Sequence, residues 1–142
     1  MIEVLVALLV LSLGLLGLAG LQTFSLRFNH QSYERTQATL LIDTMIDRMR
    51  ANPTGVANGT YDLALTGSAP GYSGSCPGAC TDYDDLALYD INQWLTVITA
   101  PGMLSNGQAR ITTDGTRHTF TITWWENDLQ MSQVMTVQLF PG

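Results

Sequence analysis

Basic residues are scarce in this chain. Lysine and arginine together number six in 142 residues, against twelve aspartates and glutamates, and the formal net charge is −6. A protein that binds nucleic acid needs a clustered basic face to neutralise phosphates, and no such cluster is visible. The acidic balance is typical of a soluble surface that does not bind polyanions. We therefore expect no nucleic-acid partner.

Motifs for catalysis are also missing. The sequence has no G-x-S-x-G, no H-E-x-x-H and no phosphate-binding loop. Its only histidines, His30 and His118, are not spaced as a ligand pair, and we expect them to be surface or packing residues. The acidic residues 82–85 lack the EF-hand pattern of a calcium loop, and an exposed helix N-terminus explains the same residues. We expect no enzyme, no cofactor, no metal site and no small-molecule substrate.

Cysteine is almost absent. Cys76 and Cys80 are the only two, and both lie in a stretch rich in Gly, Ser and Pro. Their spacing excludes a C-x-x-C redox motif, and zinc would need two further ligands. An even cysteine count in a loop favours a disulfide bond, and hence an oxidising compartment such as a periplasm. So small a ring would hold a loop in place without stapling the whole fold.

Against these absences stands one long apolar run at the N-terminus. Residues 4–21 carry no charge, and Glu3 precedes them with no lysine or arginine before Arg27. About 20 apolar residues suffice to cross a membrane as a helix. A secretory signal peptide would begin with basic residues and usually has a shorter apolar core. A domain this small could hardly bury such a helix on all sides. We predict a retained membrane anchor.

Two features of the run predict contacts with other helices. Gly14, Gly17 and Gly20 recur every third residue, and the rough stripe that they form would let another helix approach closely, although glycine also weakens a helix by roughly 1 kcal/mol per site. An ionised carboxylate in lipid costs several kcal/mol unless it is paired. Glu3 therefore either meets a cation from another molecule or lies in the headgroup region.

The predicted helix continues beyond the membrane. Residues 22–52 contain no proline and no glycine, and Asn52-Pro53 ends the helix because a residue before proline avoids the helical region. We divide the chain into a transmembrane and assembly half of the helix at 1–22, an amphipathic half at 23–52, and a periplasmic head at 53–142. The apolar face of the amphipathic half has helical spacing, and its members are Ala38, Leu41, Ile42, Met45, Ile46 and Met49.

The head is expected to be small and mixed. Residues 53–82 indicate a long loop with one strand near 60–65, and residues 84–99 a second helix capped by Thr81 or Asp82. Asp114-Gly115 is a hairpin signal, and the residues after it alternate with a period of two. We predict an α+β fold in which three or four antiparallel strands pack on the long helix. The expected apolar positions of helix and strands are Ala87, Ile91, Trp94, Leu95, Ile98, Phe120, Ile122, Trp124, Met135, Val137 and Leu139.

Several of these segments resemble one protein family. IEVLVALLVLSLGLLGLAGLQ resembles the mature N-terminus of the type IV pilins, and in particular of the minor pilins of the PilV group. DRMRANPTG at 47–55, DDLALYDINQWL at 84–95 and FTITWWEN at 120–127 are similar to further segments of that group, as is the loop of Cys76 and Cys80. The first motif is shared by the whole superfamily, which includes the pseudopilins of type II secretion.

The resemblance implies both a fold and a function. It implies a pilin-like fold, a basic leader cut by a dedicated peptidase, and methylation of the new N-terminus. Glu3 aligns with the glutamate that contacts the N-terminal amine of a neighbouring subunit during assembly. The expected protein is a minor pilin that waits in the inner membrane, joins other minor pilins and the major pilin, primes the pilus and ends at its tip. Twitching motility would depend on it, and adhesion through the head is a downstream hypothesis.

Two alternatives remain open at this point. A minor pseudopilin of type II secretion has the same N-terminal motif, and only the later segments of the chain favour a minor pilin. A monomeric, membrane-anchored periplasmic binding domain would have the same anchor, with Glu3 lying unused at the interface.

Overall fold

The computed structural model describes residues 2–68, 80 and 82–140. The chain separates into two compact units, residues 1–34 and residues 35–142, which we call the N-terminal and the C-terminal unit. The architecture is α+β, as the sequence predicts: one long N-terminal helix, two further helices and a four-stranded antiparallel sheet. The boundaries predicted at 22/23 and 52/53 stay a prediction.

The first helix, α1, runs from Ile2 to Ala51 without a break. All six residues predicted for its apolar face are buried in the core of the C-terminal unit. The charged side chains of Arg35, Asp43, Asp47 and Arg50 are exposed, as expected for residues off that face. This half of α1 is therefore an amphipathic helix with one apolar side packed on the rest of the unit.

A short helix, α2, at Pro53–Ala57 follows immediately. The sequence predicted a loop over this stretch, and that prediction is wrong here. Asn52 is the N-cap of α2, since its side-chain oxygen accepts from the backbone N–H of Gly55 at 3.1 Å. Pro53 occupies the first helical position, where its missing N–H costs nothing. A Cβ on Gly55 would lie 2.5 Å from Nδ2 of Asn52, so this close approach requires glycine.

The third helix, α3, spans Tyr83–Ile98, with Asp82 as its N-cap. All five residues predicted for its apolar face are buried. Trp94 is one of them, and its indole Nε1 donates to the backbone oxygen of Leu41 at 2.8 Å. This bond satisfies the only polar atom of the Trp94 side chain and joins α3 to α1.

The sheet consists of β1 at Leu63–Thr66, β2 at Gln108–Asp114, β3 at Arg117–Glu126 and β4 at Leu129–Gln138, paired in that order. The hairpin signal at Asp114-Gly115 is confirmed, because β2 and β3 pair from Asp114↔Arg117 onward, and Gly115 has φ +60°. Asn127 and Asp128 join β3 to β4 with φ values of 47° and 64°. Two residues with positive φ form the type of turn whose twist matches a hairpin.

Strand β3 is buried on both sides, which its sequence did not predict. Phe120, Ile122 and Trp124 face the core as expected. Thr121 and Thr123, which alternate with them, are buried as well, at 7% and 8% exposed. The reason is that β3 is a central strand, with β2 and β4 paired along its length, so the neighbouring side chains cover its outer face.

Candidate assembly site

The N-terminal unit presents an uncovered apolar surface. Every residue from position 2 to position 30 is exposed, including large apolar side chains such as Leu11 and Leu16. The helix is long and apolar enough to span a membrane, and its most apolar window is not buried within the structure. Lipid or other helices would remove these apolar side chains from water. Each Å² of apolar surface that is buried in this way contributes a favourable free energy of about 25 cal/mol.

Glu3 lies in the first turn of α1 and is exposed. No described residue forms an ion pair with it. The next cation along the chain is Arg27, about 36 Å further along the helix at 1.5 Å per residue. The helix dipole favours a carboxylate at this end, by up to about 1 kcal/mol when exposed. A partner for its charge in lipid would have to come from outside the described chain.

The glycine stripe is open to a neighbour. A Cβ added at Gly14, Gly17 or Gly20 would meet no atom within 4 Å. None of the three glycines is therefore required by packing within the described part of the chain. Because these glycines have no side chains, another helix can approach α1 closely along the stripe. The assembly role of Glu3 and of the three glycines stays a prediction.

The predicted disulfide involves residues that the structure describes only in part. Cys80 is disulfide-bonded. Cys76 lies outside the described residues, so its pairing with Cys80 stays a prediction. Thr81, one of the two caps predicted for α3, also lies outside the described residues. The structure shows the other one, Asp82, as the cap.

Where α1 ends, the C-terminal unit contains a buried polar cluster, which we call the polar junction: Arg48, Asn52, Tyr61 and Asp90. The Tyr61 hydroxyl donates to Oδ2 of Asp90 at 2.8 Å, and Arg48 Nη1 lies 3.3 Å from Oδ1 of Asp90. Asn52 Nδ2 donates to the backbone oxygen of Tyr83 at 2.7 Å and lies 3.3 Å from the Tyr61 hydroxyl. The junction thus ties the end of α1 to α3 and to the segment before β1.

Burial sets the titration of the junction. Desolvation raises the pKa of Asp90, while its hydrogen bond from Tyr61 and the nearby charge of Arg48 oppose that rise. Desolvation also raises the pKa of Tyr61, and the hydrogen bond to Asp90 adds to it. Tyr61 therefore stays a protonated donor at neutral pH. The junction leaves no polar side chain unsatisfied, because every buried side-chain nitrogen and oxygen in the described part of the chain has a hydrogen-bond partner.

His118 forms a second polar chain at the β2–β3 hairpin. Thr113 donates its hydroxyl hydrogen to Oδ1 of Asp62, and its oxygen lies 3.0 Å from Nδ1 of His118. Since a hydroxyl has a single hydrogen, the ring nitrogen is the donor of the second bond. Burial lowers the pKa of His118, and the charge of Asp62 opposes that effect. Of the two roles expected for the histidines, surface or packing, the 4% exposure of His118 fits packing.

The acidic stretch at 82–85 is used within the fold. The side chain of Asp82 accepts from the backbone N–H of Asp84 at 3.3 Å. Asp84 accepts from Asn58 Nδ2 at 3.0 Å and from the Thr60 hydroxyl, and these two bonds hold its pKa below the usual value. Two of the four residues thus cap α3 and fasten the turn after α2, as expected of a helix N-terminus.

The polar junction was not found from the sequence. Asn52 and Asp90 lie in the segments 47–55 and 84–95 that carry the resemblance, but no polar contact was predicted for them or for Tyr61. The one available signal was a charged residue, Asp90, at a position next to the apolar face of α3, where a carboxylate needs a partner.

Comparisons with known proteins identify no relative. No family model matches the chain, and neither a curated protein nor a solved structure matches it. The long apolar N-terminal helix followed by a small antiparallel sheet is compatible with a pilin-like fold.

Proposed function

We propose that this chain is a minor pilin that takes part in the assembly of a type IV pilus. The observation that carries the proposal is the N-terminal segment: an exposed apolar helix that begins with Glu3, for which no described residue supplies a cation. A monomeric anchor needs only apolar residues to hold it in lipid, where an unpaired carboxylate costs several kcal/mol. A subunit of a helical bundle gains a charge pair with its neighbour.

In the proposed mechanism the N-terminal segments of successive subunits pack together. The N-terminal amine of a neighbouring subunit pairs with Glu3 and sets the register between the two helices. The stripe of Gly14, Gly17 and Gly20 lets the backbones approach, since no described residue fills the space beside it. Before assembly the protein lies in the inner membrane with residues 53–142 in the periplasm. It then joins other minor pilins and the major pilin, primes the filament and ends at the tip.

Support for the group within the superfamily comes from the later segments. The stretches at 47–55, 84–95 and 120–127 resemble those of the PilV minor pilins. A minor pseudopilin of type II secretion, which would use the same helix physics in a short periplasmic piston, is the second candidate.

The experiment is a clean deletion in the source organism, scored separately for surface pili and for secretion of exported enzymes. We expect loss of pili and of pilus-driven movement with secretion intact, and restoration of both by the wild-type chain. Loss of secretion with normal pili would assign the chain to the pseudopilins instead. Normal pili together with normal secretion would contradict both assignments and favour the monomeric anchored domain.

A further inference from the structure

A polar cleft of about 530 Å³ opens on the C-terminal unit, beside the end of β3. Ser68, Asn106, Gln108 and Trp125 contribute to its lining. This volume lies within the range of about 300–1,000 Å³ that is typical of small-molecule sites. None of the residues that line it carries a titratable side chain. None of its described lining residues belongs to the polar junction or to the N-terminal unit.

Trp125 is the unusual residue of this cleft. The other two tryptophans, Trp94 and Trp124, are 2% and 1% exposed, whereas Trp125 is 43% exposed. Its backbone is fixed, because its N–H donates to the backbone oxygen of Ser105 at 2.9 Å, which ties the end of β3 to the loop that follows α3. A large aromatic ring is therefore held against a polar cleft with much of its surface in water.

The polar groups around the ring are available for a ligand. The side-chain amides of Asn106 and Gln108 form no hydrogen bond with any described residue, and each offers both a donor and an acceptor. Gln108 begins β2, and Asn106 lies two residues before it with φ +48°. Both side chains are thus attached to the chain at or just before the start of β2.

We propose that this cleft binds a neutral saccharide, with one sugar ring stacked on Trp125 and its hydroxyl groups paired with Asn106 and Gln108. The C–H faces of a sugar ring carry partial positive charge and match the negative face of an indole. Sugar hydroxyls are donors and acceptors at once, which is what two free amides recognise. Among the described residues that line the cleft there is no arginine or lysine to hold a phosphate, a carboxylate or a nucleotide.

The test is calorimetric titration of the full chain in micelles of lauryldimethylamine oxide, a detergent without a sugar headgroup. The probes are maltotriose, cellotriose, mannotriose and triacetylchitotriose. We expect saturable binding of at least one of them. Trp125→Ala should weaken that binding at least about tenfold, because it removes the stacking surface. The double variant Asn106→Ala/Gln108→Ala should weaken it to a similar degree while retaining Trp125.

A matched control is Leu129→Ala, which truncates an exposed apolar residue at the start of β4 that does not line the cleft. It should bind as the wild type does. The emission of Trp94 and Trp124 reports whether each variant is folded. Absence of saturable binding of all four saccharides to the wild type would overturn the proposal, as would wild-type affinity in Trp125→Ala or in a folded double variant. The test does not depend on filament assembly, so the proposed function and this inference can fail separately.

Discussion

Tyr61 and Asp90 are buried polar residues that lie 29 positions apart in sequence and meet through one hydrogen bond of 2.8 Å. Asp90 is 7% exposed and would be costly as an isolated carboxylate. Tyr61 and Arg48 together supply the donors that make its burial tolerable. Because Asn52 contacts Tyr61 as well, the end of α1 depends on the same cluster. These residues therefore fix where α1 stops relative to α3.

Tyr61→Phe removes the hydroxyl from the polar junction and leaves the ring in place. Asp90 loses a donor while it stays buried, so we expect the free energy of unfolding to fall by about 1–3 kcal/mol. Urea denaturation in detergent micelles measures this fall. Tyr83→Phe is the matched control, since its side chain is exposed, and it should change stability by less than about 0.5 kcal/mol. Equal stability of the two variants would contradict the role of the junction.

His118 makes stability depend on pH in a defined direction. Burial lowers the pKa of His118 below the unfolded value of about 6.5. Between those two pKa values the unfolded chain binds more protons, so stability rises with pH across this window and falls as the pH drops below about 6.5 toward the folded pKa. Below the pKa of His118 in the folded protein, a further drop in pH causes no additional loss of stability through this residue.

The measurement compares the urea midpoints of the wild type and of His118→Asn between pH 7.5 and pH 5.5. The variant places an amide nitrogen near the position of Nδ1 and cannot titrate, so it should show a smaller loss of stability. His30, the only other histidine, is present in both proteins, so the difference between their slopes isolates His118. Identical slopes for the wild type and His118→Asn would show that His118 does not contribute.

At the scale of the elements, the caps decide where helices begin. Asp82 caps α3 by accepting from the backbone N–H of Asp84. Asp82→Ala should lower the free energy of unfolding by about 0.5–2 kcal/mol, because a helix N-terminus loses its acceptor. Thermal and urea unfolding provide the measurement. Asp85→Ala, in the first turn but not at the cap, should cost less. A larger loss in Asp85→Ala than in Asp82→Ala would refute the assignment of the cap.

The glycine stripe on α1 yields a prediction of a different kind. A Cβ at Gly17 would meet no atom of the described residues within 4 Å, so the isolated Gly17→Leu variant should fold and insert as before, with a slightly more stable helix. If the stripe packs against another subunit, the added side chain should prevent incorporation into pili. Immunoblots of sheared pili and of membranes measure this. Ala19→Leu, about 200° around the helix from Gly17, is the size control. Normal incorporation of Gly17→Leu would exclude the stripe as a packing face.

The elements that could be predicted are those with a strong local period. The faces of α1 and α3 follow helical spacing, and the hairpin at Asp114-Gly115 follows turn chemistry, so these were confirmed. Helix α2 was missed because five residues are too few to establish a period. The burial of Thr121 and Thr123 was missed because it depends on strands β2 and β4 covering β3, which pattern alone does not reveal.

Some of the candidate functional residues could likewise be identified from the sequence, and others could not. Glu3 and the glycines could be recognised from sequence because an apolar run makes any exception visible. The polar junction and the cleft at Trp125 are assembled from residues far apart in the chain, and each residue alone is unremarkable. Long-range contacts of this kind leave no periodic trace.

At the scale of the whole molecule, the chain consists of two parts that differ in exposure. Residues 2–30 form a helix whose side chains are all exposed, and residues 35–142 form a folded unit with its own core. The first needs lipid or other helices to cover it, whereas the second is complete within itself. The proposed function requires this division. The N-terminal helix must leave the lipid and pack against the helices of other subunits while the C-terminal unit stays folded.

The central claim is that Glu3 acts through a neighbouring subunit. The most direct measurement is complementation of the deletion strain with Glu3→Ala, scored for surface pili alongside membrane levels of the protein. Since Glu3 has no partner among the described residues, the variant should fold, insert and accumulate as the wild type does, yet fail to restore pili. Wild-type piliation in the Glu3→Ala strain would contradict the account.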